Sequence, residues 1–420
     1  MADERLALQN VGINVRAFIL SLLCAKLLTG CAASVTRVPV PAHLVDEAQV
    51  ASLPNVRYWG DTIPEDIKQA VAEGDRQTRA MRPHLFDKRG ERTQFEFLAI
   101  SGGGSDGAFG AGLLVGWTKS GKRPEFDLVT GISTGALAAP FVFLGPAYDR
   151  QLQEVYTQYG TENLLEPQII TGLLGGSAVT DNRKLAGVIA NYVDARMLRV
   201  IAREHLRGRR LLIGTTNIDA ERPVVWNMGR IALGGNEEAL NLFRKVLLAS
   251  ASIPAFLPPV KIDVTAGGKA LHELHVDGGT TGQVFFLPPQ LLIESIAPPK
   301  GLPRSQGTGP TKLRLYIVMN QSLQPKFTTT KATTASIAGR SLSTLIKQQA
   351  TGDLYKLYVA TRSNRIDYNL ASVPDTFVME AKEPFDRVYM GELFKTGVEL
   401  GSSDYQWTKA PPGITTSGER

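Results

Sequence analysis

Phe126-Asp127-Leu128-Val129-Thr130-Gly131-Ile132-Ser133-Thr134-Gly135 sets an apolar, strand-like run directly against a G-x-S-x-G pentapeptide. Residues 136–144 then continue as an apolar, helix-like run. A serine at a sharp strand-to-helix turn is lifted above the sheet, and small neighbours such as Gly131 and Gly135 let the backbone bend tightly. The N-terminus of the following helix turns unpaired N–H groups toward that serine, which favours negative charge there. Two readings stand at this point: Ser133 as a nucleophile, or an ordinary strand-to-helix turn.

A second glycine cluster lies upstream. Residues 95–100 (FEFLAI) read as a buried strand, Ser101-Gly102-Gly103-Gly104-Ser105-Asp106-Gly107 follows directly, and residues 108–117 look helical despite Gly110 and Gly112. Consecutive glycines let a backbone approach a ligand closely and offer several N–H donors in one loop. Gly102-x-Gly104-x-x-Gly107 matches a dinucleotide fingerprint, but no acid ends a second strand about 20 residues on; Asp127 precedes its strand. No lysine follows the glycines, so the loop is no P-loop. An oxyanion hole, with backbone N–H groups facing charge that develops on an attacked carbonyl, fits better.

The third element, Leu274-His275-Val276-Asp277-Gly278-Gly279, delivers an aspartate from an apolar strand into a glycine turn. By itself an Asp-Gly pair marks a turn. Beside a candidate nucleophile it also supplies a general base, which a serine hydroxyl needs at neutral pH. The chain has five histidines, His43, His84, His205, His272 and His275, and none follows Asp277. A triad in the chain order Ser, Asp, His is therefore excluded, which leaves a Ser–Asp dyad.

Taken in order, Gly-Gly-Gly-x-x-Gly, Gly-x-Ser-x-Gly and Asp-Gly-Gly resemble the patatin-like phospholipase family. Residues 211–219 (LLIGTTNID) look like the family's strand after the nucleophile helices, and residues 248–260 (LASASIPAFLPPV) like its Ala-Ser-x-x-x-Pro-x-x-Phe-Pro-Pro segment. The resemblance covers about residues 95–300. It implies an α/β fold, a three-layer α/β/α sandwich around a central, mostly parallel sheet. It also implies a lipid acyl hydrolase without a cofactor, acting on phospholipid or another acyl-ester lipid. Ser133 would be the nucleophile and Asp277 the base, with Gly102, Gly103, Gly104 and Gly107 in the oxyanion loop and Gly131, Gly135, Gly278 and Gly279 flanking the motifs. An acyltransferase using the same dyad, and a non-catalytic lipid-binding protein on the same fold, remain as alternatives. One departure is Asp106, where many members carry Arg or Lys; a carboxylate in the hole would oppose the developing charge. The backbone makes the hole, so Asp106 is expected to face elsewhere.

The N-terminus answers a different question. Residues 17–25 form a short apolar run after Arg16, well under the roughly 20 residues a membrane span needs, and fit the core of a secretory signal peptide. Leu28-Thr29-Gly30-Cys31 resembles a bacterial lipobox. Cleavage there would make Cys31 the lipidated first residue of a cell-envelope lipoprotein, tied to the membrane surface. Lys26, Asp3 and Glu4 are unusual in such a leader, and a cytoplasmic protein with an apolar N-terminal helix is the other reading.

These signals divide the chain into a signal peptide (1–30), a stem with a lead-in helix (31–90, helical over 64–81), a catalytic core (91–300) and a C-terminal extension completing the same domain (301–420). In the extension, residues 298–310 read as a surface loop, 312–319 (KLRLYIVM) as a strand, 336–362 as a helix and 377–388 as a last strand. Formal net charge is +6. Part of it concentrates in Arg203, Arg207, Arg209 and Arg210, read as the solvated end of a helix, with anionic headgroups as the second reading. The cluster lacks interleaved aromatics, which argues against nucleic acid. No cysteine pair or histidine spacing resembles a metal-ligand set. Leu257, Phe256, Phe285 and Phe286 are candidates for the wall of an acyl groove.

Overall fold

A computed structural model describes residues 37–167, 178, 180–286 and 311–414. Cys31, the leader and the loop read over 298–310 lie outside the described residues. Nine strands build one sheet: β1 (Arg57–Trp59), β2 (Gln94–Ile100), β3 (Leu128–Ile132), β4 (Arg210–Asn217), β5 (Arg222–Asn227), β6 (Val260–Ala266), β7 (Lys269–Asp277), β8 (Lys312–Met319) and β9 (Asp367–Ser372). The order is β1-β5-β4-β3-β2-β8-β9, with β7 paired to β4 and β6 to β7. β4, β3, β2, β8 and β9 run parallel; β5, β1, β7 and β6 attach antiparallel. The sheet is thus mixed, with the expected parallel arrangement at its centre.

Strand alternation sends successive side chains to opposite faces. Leu98, Ile100, Val129, Leu211 and Ile213 pack into the larger core, whose helices include α2 (Gly107–Lys119), α3 (Thr134–Leu144), α4 (Asp149–Thr157) and α9 (Arg387–Ser402). Ala99, Leu212, Leu315, Ile317 and Met319 face the other way, against Ala350, Leu354 and Leu357 of α8 (Thr334–Ser363). The remaining helices used below are α1 (Ile67–Met81), α5 (Arg183–Tyr192), α6 (Ala195–Leu206) and α7 (Glu237–Ser250). The two apolar faces and their helix layers make the α/β/α sandwich.

α2 and α9 meet backbone to backbone. A Cβ at Gly112 would lie 2.1 Å from the Phe394 carbonyl oxygen, and one at Gly397 would lie 2.4 Å from that of Phe109. The glycines that weaken α2 as an isolated helix are what let α9 lie against it.

Three readings are corrected. The final strand is Asp367–Ser372, and residues 377–388 form no strand. β9 gains a parallel partner in β8 over six residue pairs, whereas Pro384 interrupts the other stretch and removes a ladder donor from it. The part of the stem from residue 38 is packed: Gln49 exchanges backbone hydrogen bonds with Thr265, and Ala48, Val50 and Leu53 are buried. The arginine cluster is a solvated helix end only at Arg203, which is exposed in the last turn of Ala195–Leu206. Arg209 is 3% exposed, pairs with Glu204 at 3.0 Å and donates to the carbonyls of Phe126 and Phe143, while Arg207 also pairs with Glu204. Asp127, already set aside as a ribose-binding acid, is held by Arg82, Arg92 and the Glu96 N–H just before β3.

Candidate active site

β2 and β3 are parallel neighbours, so the glycine loop and the serine turn leave the same rim of the sheet, where open α/β folds bind ligands. Ser133 ends β3 and starts α3 with φ 54° and ψ −124°, a left-handed φ that a non-glycine residue adopts only when its surroundings enforce it. Its carbonyl accepts from Ala136 and Leu137, so the helix begins immediately after it. The turn is enforced from below: a Cβ at Gly135 would sit 2.4 Å from the Ile100 carbonyl oxygen.

β7 brings the acid to that rim by pairing with β4, Thr215 opposite Asp277. The Ser133 hydroxyl faces the buried Asp277 carboxylate, near enough to bear on its pKa, and the Gly279 N–H donates to Asp277 Oδ1 at 2.7 Å. Burial raises the Asp277 pKa to about 7; Ser133 and the Gly279 bond pull the other way without cancelling it.

The glycine loop lies against the serine: a Cβ at Gly102 would be 3.3 Å from that of Ser133. Its N–H groups divide into two sets. Gly102 donates to the Gln283 carbonyl at 3.0 Å, and Gly107 to the carbonyls of Gly104 and Ser105. Gly103 and Gly104, both at positive φ (150° and 57°), find no acceptor for their N–H groups among the described residues. A strained serine facing a buried aspartate, beside a loop with open donors, is the arrangement a serine acyl hydrolase requires.

Residues 98–288 match the family model described as patatin-like phospholipase. The chain carries a patatin-like phospholipase domain. Two solved structures are similar over much of its length. VipD from Legionella pneumophila is 12% identical over 77% of this chain and 70% of that one, with a TM-score of 0.34. Human GIVD cytosolic phospholipase A2 is 9% identical over 76% of this chain and 55% of that one, with a TM-score of 0.30. No curated protein matches the chain.

Within the patatin-like domain, three residues that the motifs did not reveal hold the site together. Ser250 Oγ accepts the Ser133 N–H at 3.0 Å and donates to the Gly214 carbonyl at 2.7 Å. Two residues on, the Ser252 carbonyl accepts the Asp277 N–H at 2.9 Å. One short segment at the end of α7 therefore fixes the backbones of both Ser133 and Asp277. Gln283 ties the loops together: its carbonyl takes the Gly102 N–H and its side-chain amide donates to the Gly279 carbonyl at 2.7 Å. Its own N–H donates to Asp353 of α8 at 2.8 Å. The segment holding Ser250 was visible as part of the family resemblance; nothing local marked Gln283.

Asp106 faces away from the serine turn, as expected of a working loop. Its Oδ1 accepts from the Tyr389 hydroxyl of α9 at 2.6 Å, and Ser105 Oγ accepts the Phe385 N–H at 2.8 Å. Burial raises the Asp106 pKa, opposed by the Tyr389 bond and by Lys326 and Lys347.

An apolar cavity of ≈ 70 Å³ opens at Ser133 and Gly104 and runs between Leu137, Val188, Ile189 and Leu257. Leu257 lines it as expected. Phe285 and Phe286 do not: they line a separate cavity with Val359 and Ala360 of α8, and Phe286 packs on Phe97 at 4.9 Å. Phe256 is exposed. His275 is fully buried between Thr215 (2.9 Å) and Glu273 (3.0 Å), so it supports the core and does not line the site.

Proposed function

We propose that the chain is a lipid acyl hydrolase in which Ser133 and Asp277 form a catalytic dyad. The contact between the Ser133 hydroxyl and a buried carboxylate with a pKa of about 7 carries this reading. A base is most effective when its pKa lies near the operating pH, which an ordinary aspartate does not reach. Ser133 Oγ attacks the ester carbonyl as its proton passes to Asp277. The oxyanion takes hydrogen bonds from the open N–H groups of Gly103 and Gly104. Collapse expels the alkoxide, which recovers the proton from Asp277, and leaves an acyl-enzyme. Asp277 then deprotonates a water that releases the fatty acid and restores Ser133. The orientation of Asp106 toward Tyr389 leaves the oxyanion position free of negative charge and favours this reading over a non-catalytic lipid-binding protein.

The test is covalent labelling with a fluorophosphonate, alongside release of fatty acid from phospholipid vesicles. Wild type should react and Ser133→Ala should not. A folded wild-type protein that neither labels nor turns over would overturn the proposal. We also propose that Cys31 carries the lipid anchor of a cell-envelope protein; Cys31→Ser should move the chain from the membrane fraction to the soluble one, and unchanged fractionation would argue against it.

A further inference from the structure

The stretch 321–352 holds Lys326, Lys331, Arg340 and Lys347 and no acidic residue. It leaves the sheet at the end of β8 beside the glycine loop, where the Asn320 N–H donates to Ser101 Oγ at 2.8 Å. It comes back to the site at Gln349, whose Oε1 accepts from the Gln283 side chain at 2.9 Å. Between those points most described side chains are exposed.

Two kinds of side chain stand out from this excursion. Phe327 is 97% exposed, and Ile337, Leu342 and Leu345 are 52%, 48% and 67% exposed. At 3.6 residues per turn the three aliphatic residues fall on one half of the α8 circumference, while Arg340 and Lys347, seven residues apart, fall on the other. Arg340 donates to the Lys326 carbonyl at 2.6 Å and Lys347 to that of Gln324, which lays the preceding loop along the basic half. Lys326, Arg340 and Lys347 are thereby close enough to repel one another, a field that Asp106 and Asp375 only partly offset. The contrast with Arg207 and Arg209 is plain, since both of those are paired to Glu204.

We propose that loop 324–333 and the first half of α8 seat the domain on an anionic lipid surface, Phe327, Leu342 and Leu345 entering the interface and Lys326, Lys331, Arg340 and Lys347 meeting headgroup phosphates. The inference deepens the lipid-hydrolase reading and rests on it, because this face borders the rim where the apolar cavity opens. The first half of α8, apolar on one side and basic on the other with no acids, suits a negatively charged surface of low shape specificity. A second copy of the chain would bring the same cations against one another, which disfavours self-association through this face.

Binding is measured with the full chain carrying Ser133→Ala and Cys31→Ser, which has neither turnover nor a lipid anchor. It is sedimented with vesicles of phosphatidylcholine alone or mixed with phosphatidylglycerol. Binding should require phosphatidylglycerol and weaken as salt is added. Lys326→Glu with Arg340→Glu should reduce it at least about 20-fold, from a factor of about 5 per cation. Phe327→Ala with Leu345→Ser should also reduce it, with an unchanged melting temperature because both side chains are exposed. Equal partition of parent and variants, or no preference for phosphatidylglycerol, overturns the proposal. So does a dimer in solution that Leu345→Ser dissolves, which would assign the face to a second copy. Fluorophosphonate labelling of the chain with Ser133 intact tests the hydrolase reading separately, so either can fail without the other.

Discussion

Asp277 and Asp106 occupy corresponding places in two glycine loops on one rim, and burial raises both carboxyls above the ordinary range. They differ in the hydroxyl each one faces. Asp277 meets Ser133, an alcohol at a strained turn with a cavity opening beside it. Asp106 meets Tyr389, a phenol on a helix locked to α2 by facing glycines. A buried carboxylate is therefore not a sign of catalysis by itself. What it can do depends on whether its partner has a reaction to undergo.

The largest expected effect separates the two acids directly. Asp277→Asn should slow fluorophosphonate labelling by about 10²–10⁴-fold, the usual contribution of a positioned general base. Asp106→Asn keeps an acceptor for Tyr389 and should leave the rate within about 3-fold, since the tie between the glycine loop and α9 is retained. Comparable losses in both would erase the distinction.

A pH profile sharpens it. Only ionised Asp277 accepts the serine proton, so the labelling rate should rise with pH through about 7 and then level off. A rate that stays flat from about pH 5 to pH 9 would mean that another group is the base. The same shift has a consequence for stability. Between the ordinary aspartate value of 3.8 and about 7 the folded chain holds a proton on Asp277 that the unfolded chain has released. Stability from this group therefore falls as pH rises through that window. Asp277→Asn removes the buried charge, and its gain in melting temperature over wild type should be larger at about pH 8 than at about pH 5.

Much of the site was legible because its demands are local. A left-handed serine between glycines, a run of three glycines and an Asp-Gly-Gly turn each leave a mark within a few residues. The parallel centre of the sheet followed from the same strand–turn–helix punctuation, and β8 from its alternation. The supports were not legible, because they are contacts across long stretches of chain. Ser250 reaches Ser133 over 117 residues and Tyr389 reaches Asp106 over 283. Charge density misled for a related reason. Arg207 and Arg209 look like a surface patch until Glu204 is found beside them, whereas Lys326, Arg340 and Lys347 are spread over two turns and a loop and gather only in the fold.

Ser250→Ala tests one of those supports at intermediate size. It leaves the buried N–H of Ser133 without an acceptor and should cost about 1–3 kcal/mol in urea unfolding. Labelling should slow as well, because the turn that presents the hydroxyl loses its tie to α7. Ser250→Thr retains the oxygen and should recover part of both losses; recovery of neither would mean that the side-chain oxygen is not what holds the turn.

The smallest effect is expected at Tyr389. Tyr389→Phe removes the donor to Asp106 while keeping the ring packed at 5.5 Å from Phe377. Asp106 remains buried, and loss of the phenol removes one of the influences that lower its pKa. The glycine loop keeps its other tie, from Ser105 Oγ to the Phe385 N–H, so labelling should change by less than about 3-fold while stability falls by about 1 kcal/mol. The decisive form of the measurement is a cycle with Asp106→Asn. If the two changes together cost no more than either alone, the pair acts only as a clasp between the glycine loop and α9. A labelling loss approaching that of Asp277→Asn would instead place Asp106 in the machinery, and the two acids would no longer be opposites.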